Sequence, residues 1–108
     1  MSLSVYLECS QCDSEVFDAN ITHNLGKMAA EAGIYKHLWR PEELGIKTAA
    51  ELIIPLEAGL RLLKSKPEHF ETFNASNGWG LYEHFVPFVE NYLEACKKSP
   101  KTVIRVSR

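Results

Sequence analysis

Leu3, Val5, Leu7 and Cys9 alternate with Ser4, Tyr6 and Glu8, the period of two that a strand with one buried face requires. Phe17, Ala19 and Ile21 alternate in the same way with Val16, Asp18 and Asn20. The two runs predict an antiparallel hairpin that turns through Cys9 to Ser14 and points Phe17, Ala19 and Ile21 at the core. Beyond Ile21 the period changes to that of a helix. Leu25, Met28, Ala29 and Ala32 make the inward stripe of a first helix, with Thr22 or Asn24 as its cap and Gly33 as a left-handed stop. Ile34, Tyr35, Leu38 and Trp39 follow as an apolar cluster in a short helical continuation. Arg40 to Gly45, with proline early, acids after it and glycine last, reads as a single helical turn.

Thr48-Ala49-Ala50-Glu51 has the spacing of a capping box and predicts a second long helix from Ala49, with Leu52, Ile53, Leu56, Leu60 and Leu63 turned inward. Pro55 would lie inside that helix, against the carbonyl of Glu51, and predicts a kink. A short turn from Pro67 can bury Phe70 and Phe73. The most strongly patterned stretch comes next, where Tyr82, Phe85, Val86, Val89, Tyr92, Leu93 and Cys96 repeat along one face of a last helix. Pro87 sits within it. After Ser99-Pro100, the run Thr102 to Val106 is β-branched apart from Arg105 and predicts a final strand paired with the hairpin. The fold class is therefore α+β: an N-terminal β-hairpin and a C-terminal strand in one small antiparallel sheet, packed against two to four helices.

At 108 residues and 45% hydrophobic content, the chain reads as a single domain, 1–108, able to fold without a disulfide or metal staple. Nothing in it resembles a secretory leader, and no apolar run approaches the length of a membrane span, so a cytoplasmic protein with no membrane partner is expected. A net charge of -2 gives no general attraction to nucleic acid. The charge is uneven, because Lys97, Lys98, Lys101, Arg105 and Arg108 follow one another with no intervening acid. Two of these lysines suit a helix C-terminus.

Three places could carry chemistry. The loop Asn74 to Gly80 opens the last helix, and Gly78 and Gly80 flank Trp79 there. The amides of Gly80 to Tyr82 at the helix start could hold a phosphate or carboxylate, Trp79 could stack on a ring, and Asn77, Tyr82 and Glu83 could fix the remainder. A purely structural turn would use the same residue types. At the strand-to-helix junction, Asn20, Thr22, His23 and Asn24 crowd one point, more polar side chains than capping alone needs. His23 could there act as acid, base or ligand. Cys9 and Cys12 have the spacing of half a zinc knuckle, but zinc would need two further ligands, with His23 or His37 among them. Otherwise no cofactor is implied. The phosphate-binding glycine motif of nucleotide hydrolases, the His-Glu-x-x-His helix and the serine-hydrolase elbow are all absent from the sequence.

Val16-Phe-Asp-Ala-Asn-Ile-Thr-His-Asn-Leu, Asn77-Gly-Trp-Gly with Tyr82-Glu83, and Leu93-Glu-Ala-Cys ahead of Val106-Ser-Arg resemble segments of a set of small uncharacterised proteins of bacteria and their phages. The resemblance implies an intracellular accessory or host-interaction factor and brings no activity, substrate or cofactor with it. The expected function is a binding module for a small polar or anionic ligand or for a protein partner, a homo-oligomer being compatible with it. The competing readings are a small enzyme using His23 and Glu83 as acid and base, and an interaction protein whose surface alone matters.

Overall fold

The computed structural model describes residues 2–9, 11, 14–76, 78 and 80–108. Two strands, β1 (Ser2–Glu8) and β2 (Glu15–Thr22), form the hairpin, and Cys9 N–H donates to the Ser14 carbonyl at 2.7 Å to close its loop. Short helices α1 (Gly26–Glu31) and α2 (Tyr35–Trp39) follow. The longer α3 (Ile53–Ser65), the short α4 (Pro67–Glu71), the long α5 (Tyr82–Lys98) and a last strand β3 (Val103–Ser107) complete the chain. The fold is α+β, as the residue pattern predicts. The sheet is antiparallel in the order β2-β1-β3, so the first strand is the central one. No helix among the described residues is long and apolar enough to cross a membrane.

Leu3, Val5 and Leu7 on β1 are fully buried, and Phe17, Ala19, Ile104 and Val106 on the flanking strands pack against the same core. The register sets Leu3 opposite Ile21 and Val5 opposite Ala19, which puts the apolar alternation of both strands on one face. Between Leu7 and Glu8 the register slips, leaving Val16 as an extra residue on β2. That slip explains why Glu15 points outward beside Val16, which is 50% exposed.

The helix layer is held by α5. Phe85, Val89, Tyr92 and Cys96 are fully buried, and Phe88 and Leu93 nearly so. Phe88 is absent from the stripe read in the sequence, although it lies one turn after Phe85 and one before Tyr92. The Tyr92 ring stacks on Phe17 of β2, 5.8 Å between centroids and 6° from parallel. Val16 and Phe17, at the start of β2, share a groove with Asn91, Glu94, Ala95 and Lys98 near the end of α5. The helix therefore runs antiparallel to β2, with its N-terminal end at the end of that strand.

Two expectations need correction. The chain from Ala49 to Leu52 is a 3-10 turn, and the α-helix begins at Ile53. Pro55 is thus third in α3, where its missing N–H would have had no partner inside the helix, so no kink is called for. The Glu51 carboxylate does return to Thr48, accepting its N–H at 3.3 Å and its hydroxyl at 3.1 Å. The N–H of Lys47 above all, and these bonds with it, hold the Glu51 carboxyl below the usual carboxylate range. The last strand starts at Val103, one residue later than expected. Thr102 is buried in the preceding turn, its hydroxyl donating to the Ser99 carbonyl at 2.7 Å.

The Tyr92 hydroxyl is buried with no hydrogen-bond partner among the described residues. Replacing a buried unpaired hydroxyl by hydrogen removes a desolvation cost and no bond. Tyr92→Phe is therefore expected to leave stability unchanged or raise it, whereas Phe85→Ala should lower it by about 3 to 5 kcal/mol; urea denaturation of the two variants checks this order.

Burial pushes the Cys96 thiol up to about 12 from an ordinary 9.0, and it raises Tyr92 as well. The folded chain then keeps a proton that the unfolded chain loses. The stabilisation is complete below pH 9 and lost as pH rises toward the folded value, with a slope of at most about 1.4 kcal/mol per pH unit for one thiol. Denaturation midpoints should fall between pH 9 and 10, and Cys96→Val should flatten that part of the profile; an equally steep profile in the variant would assign the loss to another group.

Candidate functional site

Thr22 ends β2 in an extended conformation, and its Oγ1 accepts the Asn24 N–H at 3.3 Å. The chain can therefore turn directly into the 3-10 turn His23–Leu25 that leads to α1, with Leu25 buried as its anchor. On the solvent face of the hairpin, Thr22 lies opposite Ser2 and Asn20 opposite Ser4. The Asn20 amide Nδ2 donates to the hydroxyls of Ser2 at 3.0 Å and Ser4 at 2.8 Å, so half of this side chain ties the two strands together.

The loop before α5 is closed by its own backbone, Ala75 N–H donating to the Gly80 carbonyl and Gly78 N–H to the Ala75 carbonyl. Asn74 Oδ1 accepts the Tyr82 N–H at 2.7 Å and caps α5 from eight residues upstream. The Tyr82 amide is thus already taken, which corrects the expectation that an anion could sit on it. The Tyr82 hydroxyl is also engaged, donating to the Leu63 carbonyl on α3 at 2.7 Å. Gly80 is where the loop presses on the junction. A Cβ placed there would lie 2.9 Å from the Asn24 Cβ and 3.4 Å from the Thr22 Cγ2, and its φ of +112° lies in the region that favours glycine.

Because α5 runs antiparallel to β2, the two polar clusters meet. They line one open cleft of about 1050 Å³, formed by Ser2 and Asn20 to Leu25, by Gly78 and Gly80, and by His84 on the first turn of α5. Of the residues expected at a site, Asn20, Thr22, His23, Asn24, Gly78 and Gly80 are in this cleft. Tyr82 and Glu83 are not among its lining residues, and Asn77 and Trp79 lie outside the described residues. His84 takes the place expected for Glu83. One residue further along the helix turns the side chain by about 100°, toward the side of Phe88, its neighbour one turn on. That proximity to the buried stripe was the available signal.

His23 is partly buried, and its Nδ1 accepts a hydrogen bond from the indole Nε1–H of Trp39 at 2.8 Å. Trp39 is itself 3% exposed and stacked on Tyr35, 5.2 Å between ring centroids. Nothing near His23 in sequence announces this partner on α2. His37, on the same helix, is partly buried, and desolvation lowers its pKa. Cys9 is a free thiol in the hairpin loop, and Cys12 lies outside the described residues. Among the described residues no group of three His, Cys, Asp or Glu side chains is arranged to hold a metal ion.

Comparison with protein-family models, with curated proteins and with solved structures finds no match to this chain.

The contact at Gly80 generates a stability test. Gly78 also has a positive φ, but a Cβ there would meet nothing within 4 Å among the described residues. Gly78→Ala should cost only the backbone strain, about 1 kcal/mol. Gly80→Ala adds a clash with Asn24 and should cost clearly more, about 2 to 4 kcal/mol. Thermal unfolding of both variants checks the difference, and equal costs would mean that the loop does not rest on the junction.

Proposed function

We propose that the protein is a binding module whose cleft between the β2–α1 junction and the start of α5 takes a small polar or anionic ligand. The observation that carries this reading is the make-up of the cleft. Ser2, Asn20, Thr22 and Asn24 supply hydroxyls and carboxamides, His23 and His84 supply imidazoles, and Gly78 and Gly80 leave backbone within reach. Its described lining holds no carboxylate, lysine or arginine. Carboxamides and hydroxyls both donate and accept, so such a surface can match a polar ligand group by group without a strong charge preference. No carboxylate of the described lining stands against an anion.

An acid–base enzyme using His23 and Glu83 has less support. Glu83 is exposed and outside the lining, and the nitrogen of His23 that faces Trp39 is already a hydrogen-bond acceptor.

Titration of the isotope-labelled protein with inorganic phosphate, and separately with glucose, tests the proposal. With one of them the backbone amide signals of Thr22 to Leu25, Gly78, Gly80 and His84 are expected to move together and saturate. Asn24→Ala should weaken that binding at least tenfold while changing the urea midpoint by less than about 1 kcal/mol in stability terms. Shifts scattered over the surface, or no saturable shift with either probe, would remove the cleft as a binding site.

A further inference from the structure

Taking the cleft as the binding site, we infer that its ligand presents an anionic oxygen, of a carboxylate or a phosphate, to the Nε2–H of His23, which Trp39 fixes as a hydrogen-bond donor. An indole nitrogen can only donate. The 2.8 Å contact between Trp39 Nε1 and His23 Nδ1 therefore requires a lone pair on Nδ1, and the neutral ring must carry its proton on Nε2. The other tautomer would set one N–H against another.

Trp39 is not free to move aside and relieve that conflict. Its ring is buried and lies nearly parallel to Tyr35, 13° between the planes, and its carbonyl accepts from Arg108 Nη1 at 2.7 Å. Arg108 is held in turn by the Glu42 carboxylate at 2.9 Å. The tautomer of His23 is thus set by packing on α2 and by the chain beyond β3, outside the cleft.

This arrangement is the reverse of the one used by a catalytic base. There a carboxylate accepts from Nδ1–H and leaves the Nε2 lone pair free for a proton or a metal ion. Here Nε2 has no lone pair to offer while the Trp39 bond stands. His23 can therefore neither take a proton from a ligand at that atom nor coordinate zinc there. What it offers a ligand is a donor on a residue that lines the cleft, and the described lining holds no carboxylate to claim it. An anionic oxygen gives such a donor its strongest bond, and neighbouring hydroxyls and amides complete the ligand's coordination.

The test begins with the tautomer, read from long-range proton–nitrogen correlations of the histidine rings. His23 is expected with its proton on Nε2. Inorganic phosphate and sodium acetate are then titrated, with glucose and zinc chloride as neutral and cationic comparisons. Both anions should move the His23 Nε2 signal, the stronger binder telling phosphate from carboxylate recognition. Trp39→Phe, which keeps a ring but removes the N–H, should let the proton occupy either ring nitrogen in the same correlations, and His23→Ala, which removes the donor, should weaken anion binding at least tenfold. His23→Gln places an amide donor near the position of Nε2 without needing a tautomer, so it should keep anion binding within about threefold of the unchanged protein.

A proton on Nδ1, preferential binding of zinc or glucose, or an equal loss of anion binding from His23→Ala and His23→Gln would overturn the inference. Phosphate or acetate shifting Thr22, Gly80 and His84 while His23 stays still would overturn it alone and leave the binding site standing. Failure of all four probes to shift any cleft residue would overturn the site itself, and the donor role with it.

Discussion

The flat contact between Tyr92 and Phe17 decides where everything else can go. A helix laid on a sheet has a choice of direction, and this pair of stacked rings, with Phe85 and Val89 buried further up the same face, commits α5 to run against β2. Once that direction is set, the end of α5 must lie by the start of the hairpin and its beginning by the β2–α1 junction. The cleft follows from this geometry, since the two polar segments that border it are separated by half the chain. The Tyr92 hydroxyl, buried without a partner among the described residues, is carried along by a ring placed for its flat surface.

Most of the architecture was legible in the sequence because it rests on periodicity. Alternation in Leu3 to Cys9 and Phe17 to Ile21 marks two faces of a hairpin, and the steps from Tyr82 to Cys96 mark one face of a helix. Position along an element is harder to read, because it depends on local hydrogen-bond geometry that several turns can satisfy. The box at Thr48 and Glu51 is present but opens a 3-10 turn, and that delay moved Pro55 from a helix interior to a first turn.

The site was legible as two places and illegible as one set of contacts. Crowded polar residues flag Asn20 to Asn24, and paired glycines flag the loop before α5. Which side chain faces which depends on the packing angle of α5, and a single residue step separates His84 from Glu83. The bond from Trp39 to His23 spans 16 residues across two short helices and follows from no local pattern. The basic run near residue 108 has a comparable explanation. Arg105 meets Glu8 at 3.0 Å and covers the Tyr6 ring at 3.9 Å, Lys97 meets Glu57 at 3.3 Å, and Arg108 meets Glu42. These exposed pairs each contribute little to stability, but they direct much of that charge to partners within the fold.

The central position of β1 bears on the order in which the molecule can assemble. Arg105 and Glu8 are neighbours in the sheet and 97 residues apart in sequence. The hairpin is made first, yet one flank of its inner strand keeps its backbone groups open until Val103–Ser107 has been synthesised. During that interval a strand rich in Leu and Val presents an unpaired edge to any extended chain nearby. A nascent protein of this topology is thus most exposed to mispairing while its helices are being made, and a chain cut short before residue 103 would keep that exposure for good.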